Sequence, residues 1–160
     1  ADGGVLIDIA SGEIAAAGLS MPHSPRLGPD GRLWLLNSGT GEIGWVDLAA
    51  GRFTPIAFLP GFARGLALVG GYAVVGLSRP RGNLTFEGLP LADALARRGA
   101  VPRCGLMVVD LATGHSAEWL RFEHTIDELY DVALLPGAVQ AEATGLKPED
   151  LERAAMPEPA

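Results

Sequence analysis

Two stretches of this 160-residue chain carry residue types at spacings that could do chemistry. Residues 36–47, LNSGTGEIGWVD, set Gly39, Gly41 and Gly44 at the GxGxxG spacing of a dinucleotide-binding loop. In such a loop the glycines end a strand and open a helix, whose free N–H groups meet the pyrophosphate. Here the β-prone run EIGWVDL follows, and no acidic residue stands near 61–65 to hold a ribose. The glycines therefore read as the closure of a hairpin, and no NAD is expected. The second stretch, FEHTIDELYD at 122–131, gathers His124, Asp127, Glu128 and Asp131. It could ligate a hard divalent ion, or form a solvated acidic loop leading into a strand. There is no HxH, HExxH or CxxC spacing, no GxSxG elbow and no Walker loop. No metal and no cofactor are expected.

Composition narrows the partners. With 48% hydrophobic and 19% charged residues the chain is globular, and it is long enough for one ordinary domain. A net charge of −7 argues against nucleic acid. No apolar run reaches the length of a membrane span, so no membrane is expected. No signal peptide is recognisable; the protein reads as soluble, with the cytoplasm favoured. Cys104 is the single cysteine, so there is no disulfide framework. The charge is uneven: residues 79–103 hold Arg79, Arg81, Arg97, Arg98 and Arg103 against only Glu87 and Asp93. That basic segment is either an anion site or a solvated loop.

The elements that must position these groups come from a repeat. LIDIASG at 6–12, WVDLAAG at 45–51 and VVDLATG at 108–114 each run from an apolar strand to Asp, with Gly four residues later. The Asp side chain can bond backbone N–H groups and Gly takes positive φ, which together make a tight turn. A strand-like run follows each turn. SPRLGPDGRLWLLNS and RGLALVGGYAVVGLS read as strand–turn–strand, and YDVALLPG begins that unit again. A unit of four short strands has the size of a propeller blade. The predicted fold is all-β: a β-propeller fragment of two complete four-stranded blades, at about 20–59 and 64–123, with half a blade at each end. The domain reading is a partial propeller over 1–140, with an insertion at 79–104, and a short helix with a flexible tail over 141–160. Within the insertion, LPLADALARRG carries helix signals, with Leu91 and Leu95 on one face. Such a helix would cover a channel mouth, pack on the rim or offer a docking surface. Two and a half blades cannot close a ring, so a missing N-terminal half or a second chain would complete it.

Aligning HSPR (23–26), ARGL (63–66) and LYDV (129–132) puts His23, Ser24, Arg26, Arg64, Tyr130 and Asp131 around one mouth of the channel. Asn37 and Ser38 come from the loop above, as do Arg79 and Arg81 from the insertion. Each has a structural alternative: His23 bonding a neighbouring loop, Arg64 pairing with Asp131 or Glu128, Asn37 and Ser38 serving the turn. The residues quoted at the repeats have a further property. The stretch GLSMPHSPRLGPDGRLWLLNSGTGEIGWVDLAAGRFTPIAFLPGFARGLALVGGYAVVGLSRPR resembles an uncharacterised bacterial family of conserved hypothetical proteins, catalogued as a domain of unknown function. GLPLADALARRGAVPRCGLMVVDLATG and ELYDVALLPG continue the likeness, which spans about 18–137. The resemblance implies a β-propeller, of which this chain would be the C-terminal part, since family members are longer. It carries no activity, and the tail after Gly137 departs from its pattern. The leading expectation is a binding module taking a small anionic ligand or a peptide at the channel mouth. The alternatives are a metal-dependent lactonase or hydrolase of the six-bladed type and a protein-interaction scaffold.

Overall fold

The computed structural model describes residues 2–79, 88–123 and 126–138. Ten strands and one helix occur among them. β1 (Gly4–Ile7) and β2 (Ile14–Leu19) form a two-stranded sheet. β3 (Pro22–Leu27), β4 (Leu33–Asn37), β5 (Glu42–Asp47) and β6 (Arg52–Phe58) form an antiparallel sheet in chain order. β7 (Phe62–Val69), β8 (Tyr72–Ser78), β9 (Gly105–Asp110) and β10 (Ser116–Arg121) form a second. α1 (Pro90–Arg97) lies in the connection between β8 and β9, where the insertion was expected. The chain is therefore mostly β, with two four-stranded meanders matching the two repeat units read from the sequence. No sheet closes on itself among the described residues. No helix among them is long and apolar enough to cross a membrane.

The repeated Asp-to-Gly signature does what its chemistry requires. Asp47 Oδ1 accepts the N–H groups of Ala49 and Ala50, both at 3.0 Å, and Asp110 Oδ1 accepts those of Ala112 and Thr113 at 2.8 and 3.3 Å. Asp8 Oδ1 accepts the N–H of Ser11 at 2.8 Å. Gly12, Gly51 and Gly114 close these turns at φ 73°, 62° and 73°, where a side chain would be strained. The glycines of 39–44 close a hairpin as well. Gly41 turns β4 into β5 at φ 73°, and Gly44 lies within β5 where a Cβ would strike the Thr54 carbonyl.

Burial decides the layering. Trp34 and Leu36 of β4 and Ile43 of β5 pack on Leu66, Val75, Leu77, Met107 and Val109 of the second sheet. Leu35 and Val46, on the opposite face, pack on Ala16 and Leu19 of the two-stranded sheet. The first four-stranded sheet is thus covered on both faces, which is why WLL in β4 is a continuous apolar run rather than an alternating one. Each large side chain buried there contributes roughly 1.5–3 kcal/mol. Leu91 and Leu95 of α1 are buried with Phe62, and Met21 and Phe58 pack against them. The helix spends its apolar face on the body of the protein. Residues 126–138 depart from expectation: YDVALLPG forms no strand there. Its backbone is nevertheless seated on the second sheet, since Ser78 Oγ donates to the Leu129 carbonyl and accepts the Leu129 N–H. A ladder needs a neighbouring strand to hydrogen-bond, and no described strand flanks this segment on its outer side.

Candidate functional site

The first strands of the two large sheets both carry a bulge near their beginnings. β3 loses register with β4 between His23 and Arg26, and β7 loses register with β8 between Ala63 and Leu66. A bulge leaves residues unpaired and re-aims their side chains. Within β3 the bulge places Ser24 at φ 53°, a left-handed conformation costing a non-glycine residue on the order of 1 kcal/mol. Its hydroxyl accepts the N–H of Gly65 at 3.0 Å, so each bulge braces the other. Gly65 itself sits at φ 78°, and a Cβ there would strike the backbone of Asp131 and Val132. Residues 131–132 can therefore pass close over β7.

Phe62, fully buried, organises what the bulges present. The His23 ring meets it edge-on at 5.6 Å between centroids. The Arg64 guanidinium lies over it at 5.3 Å and over the Tyr130 ring at 5.4 Å. Two nitrogens in this cluster are buried without a hydrogen-bond partner among the described residues, His23 Nε2 and Arg64 Nε. Burial depresses the His23 pKa below its ordinary 6.5, and the Arg64 charge pushes it further down, so the imidazole is neutral at pH 7. The Tyr130 hydroxyl donates to Glu128 Oε2 at 3.2 Å. Arg26 Nη2 lies 3.4 Å from Asp131 Oδ1, and side-chain exposures of 40% and 67% make that a weak pair. A depression of about 360 Å³ adjoins these groups, lined by Arg26, Leu66, Asp131 and Leu134 among others.

Of the residues singled out in the sequence, His23, Ser24, Arg26, Arg64, Tyr130 and Asp131 come together at this end of the sheets. Asn37 and Ser38 are buried and bonded into the fold: Asn37 Oδ1 accepts the Ser20 N–H at 2.7 Å, and Ser38 Oγ donates to the Ala63 carbonyl at 2.6 Å. Arg79 is engaged elsewhere, its Nη2 2.6 Å from Asp127 Oδ1. Arg81 and His124 lie outside the described residues, as does 141–160. The acidic stretch is split rather than convergent, because Asp127, Glu128 and Asp131 turn to Arg79, Tyr130 and Arg26 respectively. No group of three or more His, Cys, Asp or Glu among the described residues could hold a metal ion. Sequence reasoning missed Phe62 as the common neighbour. It also missed the serine clamp, whose signal was present: LLNS and VGLS put a serine at or just past the end of the second strand of each repeat.

Residues 1–144 match the family described as "Domain of unknown function (DUF4915)", so the chain belongs to that family. No curated protein matches it.

Proposed function

We propose that this member of the DUF4915 family is a ligand-binding module built as part of a β-propeller, taking a small anionic ligand or an acidic peptide where β3 and β7 begin. The serine clamp supports the propeller reading. Ser38, just past the second strand of one sheet, holds Ala63 in the first strand of the next, and Ser78, at the same place in the repeat, holds Leu129. By that rule residues 129–132 stand where a further sheet would start. Sheets stepping in this way gather the beginnings of their first strands around a channel mouth, the usual binding place in propellers. Further sheets of the same polypeptide or a second chain would complete the ring.

The observation that carries the ligand reading is the pair of orphaned nitrogens on one ring, His23 Nε2 and Arg64 Nε. Leaving such a group unpaired costs about 1–3 kcal/mol, a cost that native proteins keep mainly where function needs it. Arg64 is always charged and suits a carboxylate or another oxyanion bidentately. Ser24 already accepts from Gly65 and has its proton left to donate. The reading is tested by melting the chain with a panel of small carboxylates and acidic peptides. At least one is expected to raise the melting temperature of the parent and not that of Arg64→Ala. A shift that survives in Arg64→Ala for every active compound sinks the proposal.

A further inference from the structure

Arg79 follows the end of β8, Arg103 precedes β9 and Arg121 ends β10, yet all three line one cavity of about 310 Å³. Like charges brought together destabilise one another unless negative charge sits among them. Asp127 compensates Arg79, and the backbone reinforces that pair, since the Arg79 N–H donates to the Asp127 carbonyl at 2.9 Å. Arg79 Nε is still buried with no hydrogen-bond partner among the described residues. Glu123 also lines the cavity, but among the described residues no ion pair joins it to Arg103 or Arg121. The Arg103 guanidinium carbon lies 6.0 Å from the Trp119 ring centroid, and among the described residues its side chain makes no ion pair. Cys104 adds no negative charge of its own, because burial pushes its thiol up, and the neighbouring Asp127 and Glu128 carboxylates push it the same way against Arg79.

We infer that this corner is an oxyanion site separate from the His23–Arg64 end, and that it takes a phosphate group on Arg103 and Arg121, with Arg79 behind them. Two guanidiniums without ion partners among the described residues match a phosphate carrying close to two negative charges. A tetrahedral anion also offers oxygens on several sides, as donors arriving from three parts of the chain require, whereas a carboxylate offers two in one plane. Val101, Pro102 and Phe122 form the apolar part of the lining, against which the remainder of a phosphate ester can rest. The inference does not rest on the reading of the other end.

Calorimetric titration of inorganic phosphate, glycerol phosphate and acetate into the full chain, at constant ionic strength, tests it. Saturable phosphate binding is expected, with acetate silent in Arg64→Ala, and about a tenfold or larger loss of affinity in Arg121→Gln and Arg103→Gln. Arg64→Ala is expected to bind phosphate as the parent does. Tighter binding of glycerol phosphate than of inorganic phosphate also supports the site and assigns its ligand to the esters. Arg121 is exposed, so Arg121→Gln stays folded even if loss of the Trp119 contact unfolds Arg103→Gln. Absence of saturable phosphate binding, equal binding of acetate in Arg64→Ala, or unchanged phosphate affinity in Arg121→Gln overturns it.

Discussion

At the turn end of the sheets the carboxylates of Asp8, Asp30, Asp47 and Asp110 each accept at least one backbone N–H. At the other end His23, Arg64 and Arg79 each keep a buried nitrogen with no hydrogen-bond partner among the described residues. Both ends hang on the same strands and the same core, so packing does not account for the difference. The turn end is built from local sequence and satisfied locally. The opposite end is assembled from residues far apart in the chain: Ser38 and Ser78 bond into the fold, while three side-chain nitrogens are left without a partner among the described residues. Among the described residues, the buried side-chain nitrogens without a partner thus fall at the end opposite the Asp turns, beside groups such as Ser38 and Ser78 that are bonded into the fold.

The contrast can be broken or sharpened in stages. Leu36→Ala removes a fully buried side chain between the two large sheets, and a loss of about 2–5 kcal/mol is expected in denaturant unfolding. Both ends share that core, so a loss confined to one end would show that they unfold separately. Ser38→Ala leaves the buried Ala63 carbonyl without the Ser38 hydroxyl and is expected to cost about 1–3 kcal/mol, with Ser38→Thr keeping more of the stability. Asp110→Ala at the turn end should cost about 1 kcal/mol, because two N–H groups lose their acceptor to water rather than to a dry interior. Arg64→Ala, by contrast, should change stability by less than about 1 kcal/mol, since it removes no ion pair or hydrogen bond of the described residues and the lost stacking on Phe62 and Tyr130 is offset by relief of the unpaired Nε. A large loss in Arg64→Ala would mean that its stacking on Phe62 and Tyr130 is structural.

Acid separates the ends more finely. The folded chain holds the His23 pKa below 6.5, so as pH falls through that value the unfolded chain binds the proton first and stability drops. Asp8 is held below 3.8, chiefly by the Ser11 N–H, so its contribution is present above that value and is lost at lower pH. Stability followed against pH should show a first decline beginning near 6.5 that His23→Gln removes. The decline at lower pH should remain in that variant.

How much of this was legible depends on the distance between partners. The Asp–Gly turns, the four-strand units and α1 were readable because each rests on residues within a few positions of one another, as Asp110 with Ala112 or Pro90 with the first turn of the helix. The gathering of His23, Ser24, Arg64 and Tyr130 followed from aligning the repeats. Their contacts did not. Nothing near Arg79 in sequence announces Asp127, nothing near Arg26 announces Asp131, and a serine ending a strand does not say which carbonyl it will meet. The expected strand at YDVALLPG carried the right residues, but a strand exists only when a neighbour completes its ladder.

By itself the sequence determined the strand count of each sheet, the turns between strands and the place of the helix, because φ preferences, side-chain capping and apolar periodicity act over a few residues. Only the tertiary structure decided which cations are answered and which are not, whether Asn37 and Ser38 serve ligand or fold, and that Arg79, Arg103 and Arg121 share one cavity. Those outcomes depend on which distant carboxylates, carbonyls and rings packing brings within hydrogen-bonding or stacking reach.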